Sequence, residues 1–365
     1  MIQMVTARMK RLQELLKETA SQCLILVPGV DLFYATGLNI YASERLTALV
    51  LPAEGKPVVL CPSFEKSRIE KSFTQGTIRT WEEDEDPFKL LAKIIAELGA
   101  EAGKISMDNK LWFEWFLRIK KELPKVEFSD ASKVVQIARL IKTEEEIAIM
   151  RKASEIAATA IINTFKQVEP GMNETEIATI VRKELAKEGT PAFALVQSGA
   201  NSSFPHGSPT GRTIEKNDVL LIDAGPIYEG YFGDVTITSV IGEPSDKFLE
   251  IYDIVYNANR AAFAASKEGA IAEEVDKAAR DFITEKGYGK YFTHRLGHGI
   301  GIEGHERPYI VKGNKLVLQA GMCHTIEPGI YIEGSFGVRI EDDVVVRKDG
   351  CEFLYEVPRR IWELL

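Results

Sequence analysis

Cysteine is scarce: Cys23, Cys61, Cys323 and Cys351 are the four in 365 residues, and no two form a C-x-x-C pair. That scatter excludes a disulfide framework and a zinc ribbon, and it suits reduced, mostly buried thiols. Long apolar runs are missing as well. Stretches such as Cys23 to Val27 are strand-sized, whereas a membrane span needs roughly 18 apolar residues. The N-terminus interleaves charged and apolar residues at helical spacing and lacks the apolar block and cleavage site of a signal peptide, so a cytoplasmic protein that avoids the membrane is expected. Basic clusters are absent too. Lys and Arg number 45 against 54 Asp and Glu, and a net charge of −9 removes the electrostatic footprint of a nucleic-acid binder.

The composition that remains, 45% hydrophobic and 27% charged, is that of a folded globular chain, and the length points to two domains. Up to Asp130 the chain carries 18 basic and 19 acidic residues; beyond it, 27 and 35. The acidic excess therefore belongs to the second part, which also holds all five histidines: His206, His294, His298, His305 and His324. Acids and imidazoles gathered together are the raw material of a metal or acid–base site, although a solvated acidic face has the same count.

Residues 1–130 read as alternating helices and strands: an amphipathic helix over Val5 to Thr19, a strand at Cys23 to Val27, and strands on both sides of Pro52 to Gly55. Helices are expected over Phe64 to Ser72, Pro87 to Leu98 and Leu111 to Leu123, the last with Trp112, Trp115, Phe116 and Ile119 on its core face. Residues 131–142 read as a linker. At Thr143 a capping box with Glu146 opens a long helix and a second domain, 143–365, and Asn173 with Glu176 repeats the signal. Short strand pairs between further helices predict an α+β domain with helices packed on antiparallel sheet.

Within that domain Val219 to Ile222 is a buried strand ending at Asp223, and Phe232 to Val240 carries Asp234. A two-residue turn centred on Tyr228-Glu229 would set the two aspartates directly opposite each other. Downstream, a three-residue turn at Glu333 to Ser335 would set Glu327 opposite Glu341. Facing carboxylates repel unless a cation, a shared proton or a basic partner compensates them. His294 and His298 share a face if their segment is extended. Gly299-x-Gly301-x-x-Gly304 matches a dinucleotide fingerprint but follows no apolar strand and opens no helix, so it is not one; P-loop, H-E-x-x-H and G-x-S-x-G motifs are absent. Four carboxylates and an imidazole without thiolate suit two hard or borderline divalent ions, which supply an acidified water and polarise a carbonyl, the chemistry of a hydrolase.

Asp223 and Asp234, the block His294-Arg-Leu-Gly-His298-Gly-Ile-Gly, Thr325-Ile-Glu327-Pro-Gly and Gly337-Val-Arg-Ile-Glu341-Asp together resemble the dinuclear metallopeptidases of the pita-bread fold, within them the Xaa-Pro dipeptidase (prolidase) and aminopeptidase P family. Gly29 to Gly37 resembles the early segment of the creatinase-like N-terminal α/β domain. The resemblance implies that Asp223, Asp234, His298, Glu327 and Glu341 bind two divalent ions, manganese or cobalt before zinc or iron, with Asp234 and Glu341 bridging. It implies Glu327 as proton shuttle for a bridging hydroxide, His305 as oxyanion stabiliser, His206 and His294 as substrate-orienting residues, and Arg339 as the inner cation. The substrate would be a small Xaa-Pro peptide and the assembly a homodimer. Aminopeptidase P, acting on longer peptides, shares the same site, and a non-catalytic binding protein of this fold would have lost ligands that are present here. Ile237 stands where the family often has Arg, and His324 has no assigned role.

Overall fold

Apolar residues three or four apart in the first helix, α1 (Ile2–Glu18), bury Met9, Leu12, Leu15 and Leu16 on one face. The computed structural model describes residues 2–363, and the chain divides into two units between Arg139 and Leu140. Wholly buried β1 (Cys23–Leu26) lies inside the sheet of the first unit. The remaining elements there are α2 (Val30–Thr36), β2 (Ala48–Pro52), β3 (Val58–Pro62), α3 (Lys66–Glu70), β4 (Thr77–Trp81), α4 (Pro87–Glu97), β5 (Lys104–Met107), α5 (Phe113–Glu122), β6 (Glu127–Asp130) and α6 (Ser132–Leu140). The sheet runs β4-β3-β2-β1-β5-β6, antiparallel at β1–β2 and β2–β3 and parallel elsewhere. Residues 131–142, read as a linker, thus carry a helix whose Val134 and Val135 are fully buried. Trp112 departs from the expected core face. Helix α5 starts two residues later than expected, which leaves Trp112 at its cap, 45% exposed, while Trp115 and Ile119 are buried.

The second unit opens on α7 (Glu144–Phe165), where Thr143 Oγ1 accepts from the Glu146 amide at 3.3 Å and Glu146 accepts from the Thr143 amide at 2.8 Å. Helix α8 (Glu174–Leu185) has the same device at Asn173 and Glu176. Thr143→Ala is expected to cost about 0.5–2 kcal/mol, read as a lower midpoint in denaturant unfolding at unchanged slope. Strands β7 (Thr190–Ser198), β8 (Val219–Tyr228), β9 (Tyr231–Phe232) and β10 (Val235–Val240) form one antiparallel sheet against α7 and α8. After α9 (Asp246–Ala265) and α10 (Ala272–Glu285) come β11 (Gly297–Gly299), β12 (Glu306–Ile310), β13 (Cys323–Ile326), β14 (Gly329–Ile332), β15 (Phe336–Arg339), β16 (Asp342–Arg347) and β17 (Gly350–Phe353). Their pairing is antiparallel throughout, and Val255, Ala258, Ile326 and Val344 share a core with α9 and α10. Helices on antiparallel sheet are the α+β arrangement that the sequence predicts. No helix among the described residues is long and apolar enough to cross a membrane.

Candidate active site

The first carboxylate hairpin turns at Glu229-Gly230, not at Tyr228-Glu229. Both turn residues have positive φ, which glycine accepts readily, so the turn centres where the glycine is. Register moves accordingly: Asp223 directly faces Thr236, and Asp234 lies two residues away on the diagonal. An even offset keeps both aspartates on one face. At Gly233 the ladder is interrupted because α7 comes close; a Cβ there would meet Ala153 backbone atoms at 2.5 Å. Asp343 bridges this gap, its Oδ2 accepting from the Asp234 amide at 2.9 Å and from Ser154 Oγ at 2.6 Å.

The second hairpin has the expected register. Gly329 faces Arg339 and Ile332 faces Phe336 around Glu333 to Ser335, and the same register carried two residues further matches Glu327 with Glu341. Thr236 Oγ1 donates to Glu341 Oε2 at 2.6 Å, joining the hairpins through the residue that faces Asp223. Arg339 closes the cluster, donating from Nη2 to Asp223 Oδ2 at 2.6 Å, from Nε to Thr236 Oγ1 at 3.1 Å and from Nη1 to the Tyr331 hydroxyl at 3.1 Å.

His298 Nδ1 lies 3.1 Å from the Gly299 carbonyl, so that nitrogen carries the proton and Nε2 presents its lone pair. Nε2 faces Glu327 Oε1 at 3.4 Å and Asp234 Oδ2 at 3.8 Å. Burial, then His305, keeps this ring neutral, well below its ordinary pKa. His294 is likewise neutral, pushed to about 3 by burial and Arg339. Its Nδ1 donates to the Arg295 carbonyl at 2.7 Å, and its Nε2 accepts from Tyr331 at 2.9 Å. Both of its ring nitrogens are therefore already engaged.

Electrostatics favour a cation at this place. Burial, then Glu341 and Asp223, raises Asp234 well above the usual carboxylate range; burial, then Glu327 and Asp223, does the same to Glu341. Glu327 is pushed to about 8, first by burial. Asp223 Oδ1 is buried without a hydrogen-bond partner. Ligand atoms of Asp223, Asp234 and Glu341 lie within 4.8 Å of one another, as do those of His298, Glu327 and Glu341, and those of Asp234, His298 and His305. An oxygen-rich set with imidazole donors, no thiolate and a buried carboxylate oxygen left without a partner fits divalent metal ions.

These side chains line a cavity of about 900 Å³, with His206, His305, Phe193, Leu195, Pro205 and Phe232 among its walls. All the residues singled out as catalytic or metal-binding come together there. His324 does not. It is fully buried elsewhere, its Nε2 at 2.7 Å from Ser266 Oγ. Ile237 faces the apolar core with Ile222, opposite to Asp234 and Thr236, so its departure from the family pattern leaves the carboxylate face intact. Sequence reasoning missed Tyr331, Arg295, Thr236 and Asp343. Tyr331 lies four residues beyond Glu327 and so has the same parity, a signal that was legible; the role of Asp343 depends on a contact across 109 residues.

Residues 148–348 match metallopeptidase family M24, and residues 8–141 match the creatinase/prolidase N-terminal domain. The chain belongs to metallopeptidase family M24. Its second unit has the pita-bread fold of M24 and its first the creatinase-type domain. Over 346 residues it is 37% identical to an Xaa-Pro dipeptidase of Lactobacillus helveticus, covering 93% of this chain and 94% of that one. A prolidase from Thermococcus sibiricus superposes with TM-score 0.90 at 36% identity, covering 97% of each chain. An X-Pro aminopeptidase from Thermotoga maritima superposes with TM-score 0.86 at 33% identity, over 96% of this chain and 98% of that one. Membership of M24 makes this chain a metal-dependent peptidase, and divalent metal is implied by the family and by the donor set alike.

Proposed function

We propose that this M24 peptidase hydrolyses the Xaa-Pro bond of dipeptides in the cytoplasm, as a homodimer carrying two divalent ions per chain, manganese or cobalt. The observation that carries the reading is the convergence of four carboxylates and one neutral imidazole on a cavity with apolar walls. Asp223, Asp234 and Glu341 would hold one ion, and His298, Glu327 and Glu341 the other, with Asp234 near both. Such ions supply Lewis acidity towards the scissile carbonyl and an acidified water.

The protein's own groups do the remaining work. Glu327 takes a proton from the attacking water and returns it to the proline nitrogen as the bond breaks. His305 donates to the carbonyl oxygen as negative charge develops on it. His206 meets the proline end of the substrate, and His294, tied up by Tyr331 and Arg295, serves as an uncharged wall. Arg339 orients Asp223 through their 2.6 Å ion pair. The Xaa-Pro bond has no N–H, so a proline-shaped apolar surface replaces the donor contact on which ordinary peptidases rely; Phe193, Leu195 and Phe232 provide that surface.

Cleavage of longer Xaa-Pro peptides is the second reading, favoured by the Thermotoga maritima likeness. A substrate-length series on metal-loaded protein separates the two. Ala-Pro and Met-Pro are expected to be cleaved and Ala-Pro-Pro to be poor. Rapid cleavage of Ala-Pro-Pro with no action on dipeptides overturns the dipeptidase reading, and sedimentation velocity at twice the chain mass checks the dimer.

A further inference from the structure

Lys142 and Glu306 form a buried ion pair, Nζ to Oε1 2.7 Å with side chains 3% and 7% exposed, and neither lines the cavity. A buried pair is weak evidence of stability, since apolar residues of the same volume often do as well. Its location is more informative. Glu306 immediately follows His305 and faces Gly299, the neighbour of His298, across a bulge in the β11–β12 ladder. Its carboxylate also packs under Gly301, where a Cβ would meet Oε1 at 2.6 Å. One side chain thus braces both ends of the glycine-rich loop that presents His305.

His305 itself is exposed, with a long contact of 3.3 Å from Arg295 Nη2 to its Nδ1 and its ring 3.9 Å from that of His298. Firm attachment comes from below. The Lys142 amide donates to the Gly321 carbonyl at 2.9 Å, and four residues on Glu146 accepts from the Tyr231 hydroxyl at 2.7 Å. Tyr231 precedes Phe232, whose amide donates to the Gly301 carbonyl at 2.8 Å. Lys142, just before α7, and Glu146 in its first turn therefore brace β12 and β9 with two separate side chains, and the loop between His298 and Glu306 is held between them.

We infer that the Lys142–Glu306 pair is a positioning device that holds His305 where it meets the substrate oxygen. The inference rests on the proposed oxyanion role of His305, and a double-mutant cycle tells the two apart. In metal-loaded protein Lys142→Met is expected to lower kcat about 10- to 100-fold with KM little changed, the cost of a misplaced catalytic group. His305→Ala is expected to lower kcat about 100-fold or more. In the His305→Ala background Lys142→Met then adds no further loss. Amide hydrogen exchange of the metal-free protein should quicken over residues 299–306 and stay unchanged in α9 and α10. Glu306→Gln, which keeps size and shape, takes the place of Lys142→Met in the cycle if that variant does not fold. Equal losses from Lys142→Met in both backgrounds overturn the positioning role while leaving His305 catalytic. Full activity of His305→Ala overturns the oxyanion role and the positioning role with it.

Discussion

Glu327→Gln is expected to lower kcat for an Xaa-Pro dipeptide about 10²- to 10⁴-fold, the range associated with loss of a positioned general acid–base. Glutamine has the same length and can still accept from Thr325 Oγ1, which lies 3.3 Å from Glu327 Oε1. What it cannot do is take a proton and give it back. The carboxyl is suited to both steps. Without metal it sits at about 8, raised by burial against the opposing pull of Arg339, and a nearby divalent charge acts to lower it. Chemistry, not binding, is then the step impaired, so KM should move far less than kcat. Metal content measured beside the kinetics separates a lost proton shuttle from a lost ligand. A variant that keeps its metal and its full rate removes Glu327 from the mechanism.

The second large effect is on stability. Asp234, Glu341 and Glu327 all have folded pKa values above the ordinary carboxyl range, so the metal-free folded state holds more protons than the unfolded chain. For such groups the stabilisation is complete below their unfolded pKa and is lost as pH rises through the folded value. Histidines act in the opposite sense at lower pH. His294 at about 3 and His324 at about 4 are folded neutral, so their contribution is lost as pH falls from about 6.5 and is constant above it. Between about pH 6.5 and 8 the carboxyls therefore dominate. Metal-free protein should lose about 1.4 kcal/mol per pH unit for each carboxyl that retains its proton. Manganese or cobalt replaces those protons with cationic charge, so the rise in Tm on metal addition should grow across the same window. Thermal unfolding at several pH values, with and without metal, reads both trends. A metal-free Tm that is flat from pH 6.5 to 8, or one that metal does not raise, contradicts this account of the cluster.

Much of the site was legible because its signals are local. Capping boxes at Thr143 and Asn173 are written within four residues, and the structure has both. The register of the second hairpin follows from the three residues Glu333 to Ser335, so the facing of Glu327 and Glu341 was predictable from the sequence. The first hairpin shows the limit of the same reasoning. Placing the turn one residue early moved Asp234 from a diagonal position to a direct one, yet parity kept both aspartates on the correct face. Trp112 failed for a similar reason, since a helix start two residues later than expected turns a core position into a cap.

By itself the sequence determined the alternation of elements, the division of the chain into two domains, the parity that puts carboxylates on one face, and the donor types that select a divalent cation. Those properties are functions of neighbouring residues and survive an error of one position. Tertiary structure alone decided how the groups meet. Asp343 reaches the Asp234 amide across 109 residues, Arg339 reaches Asp223 across 116, and Lys142 reaches Glu306 across 164. No periodicity records such pairs, because each depends on how two sheets and the helix α7 stack, and burial raises Asp234 and Asp343 above the ordinary carboxyl range only once that stacking has excluded water.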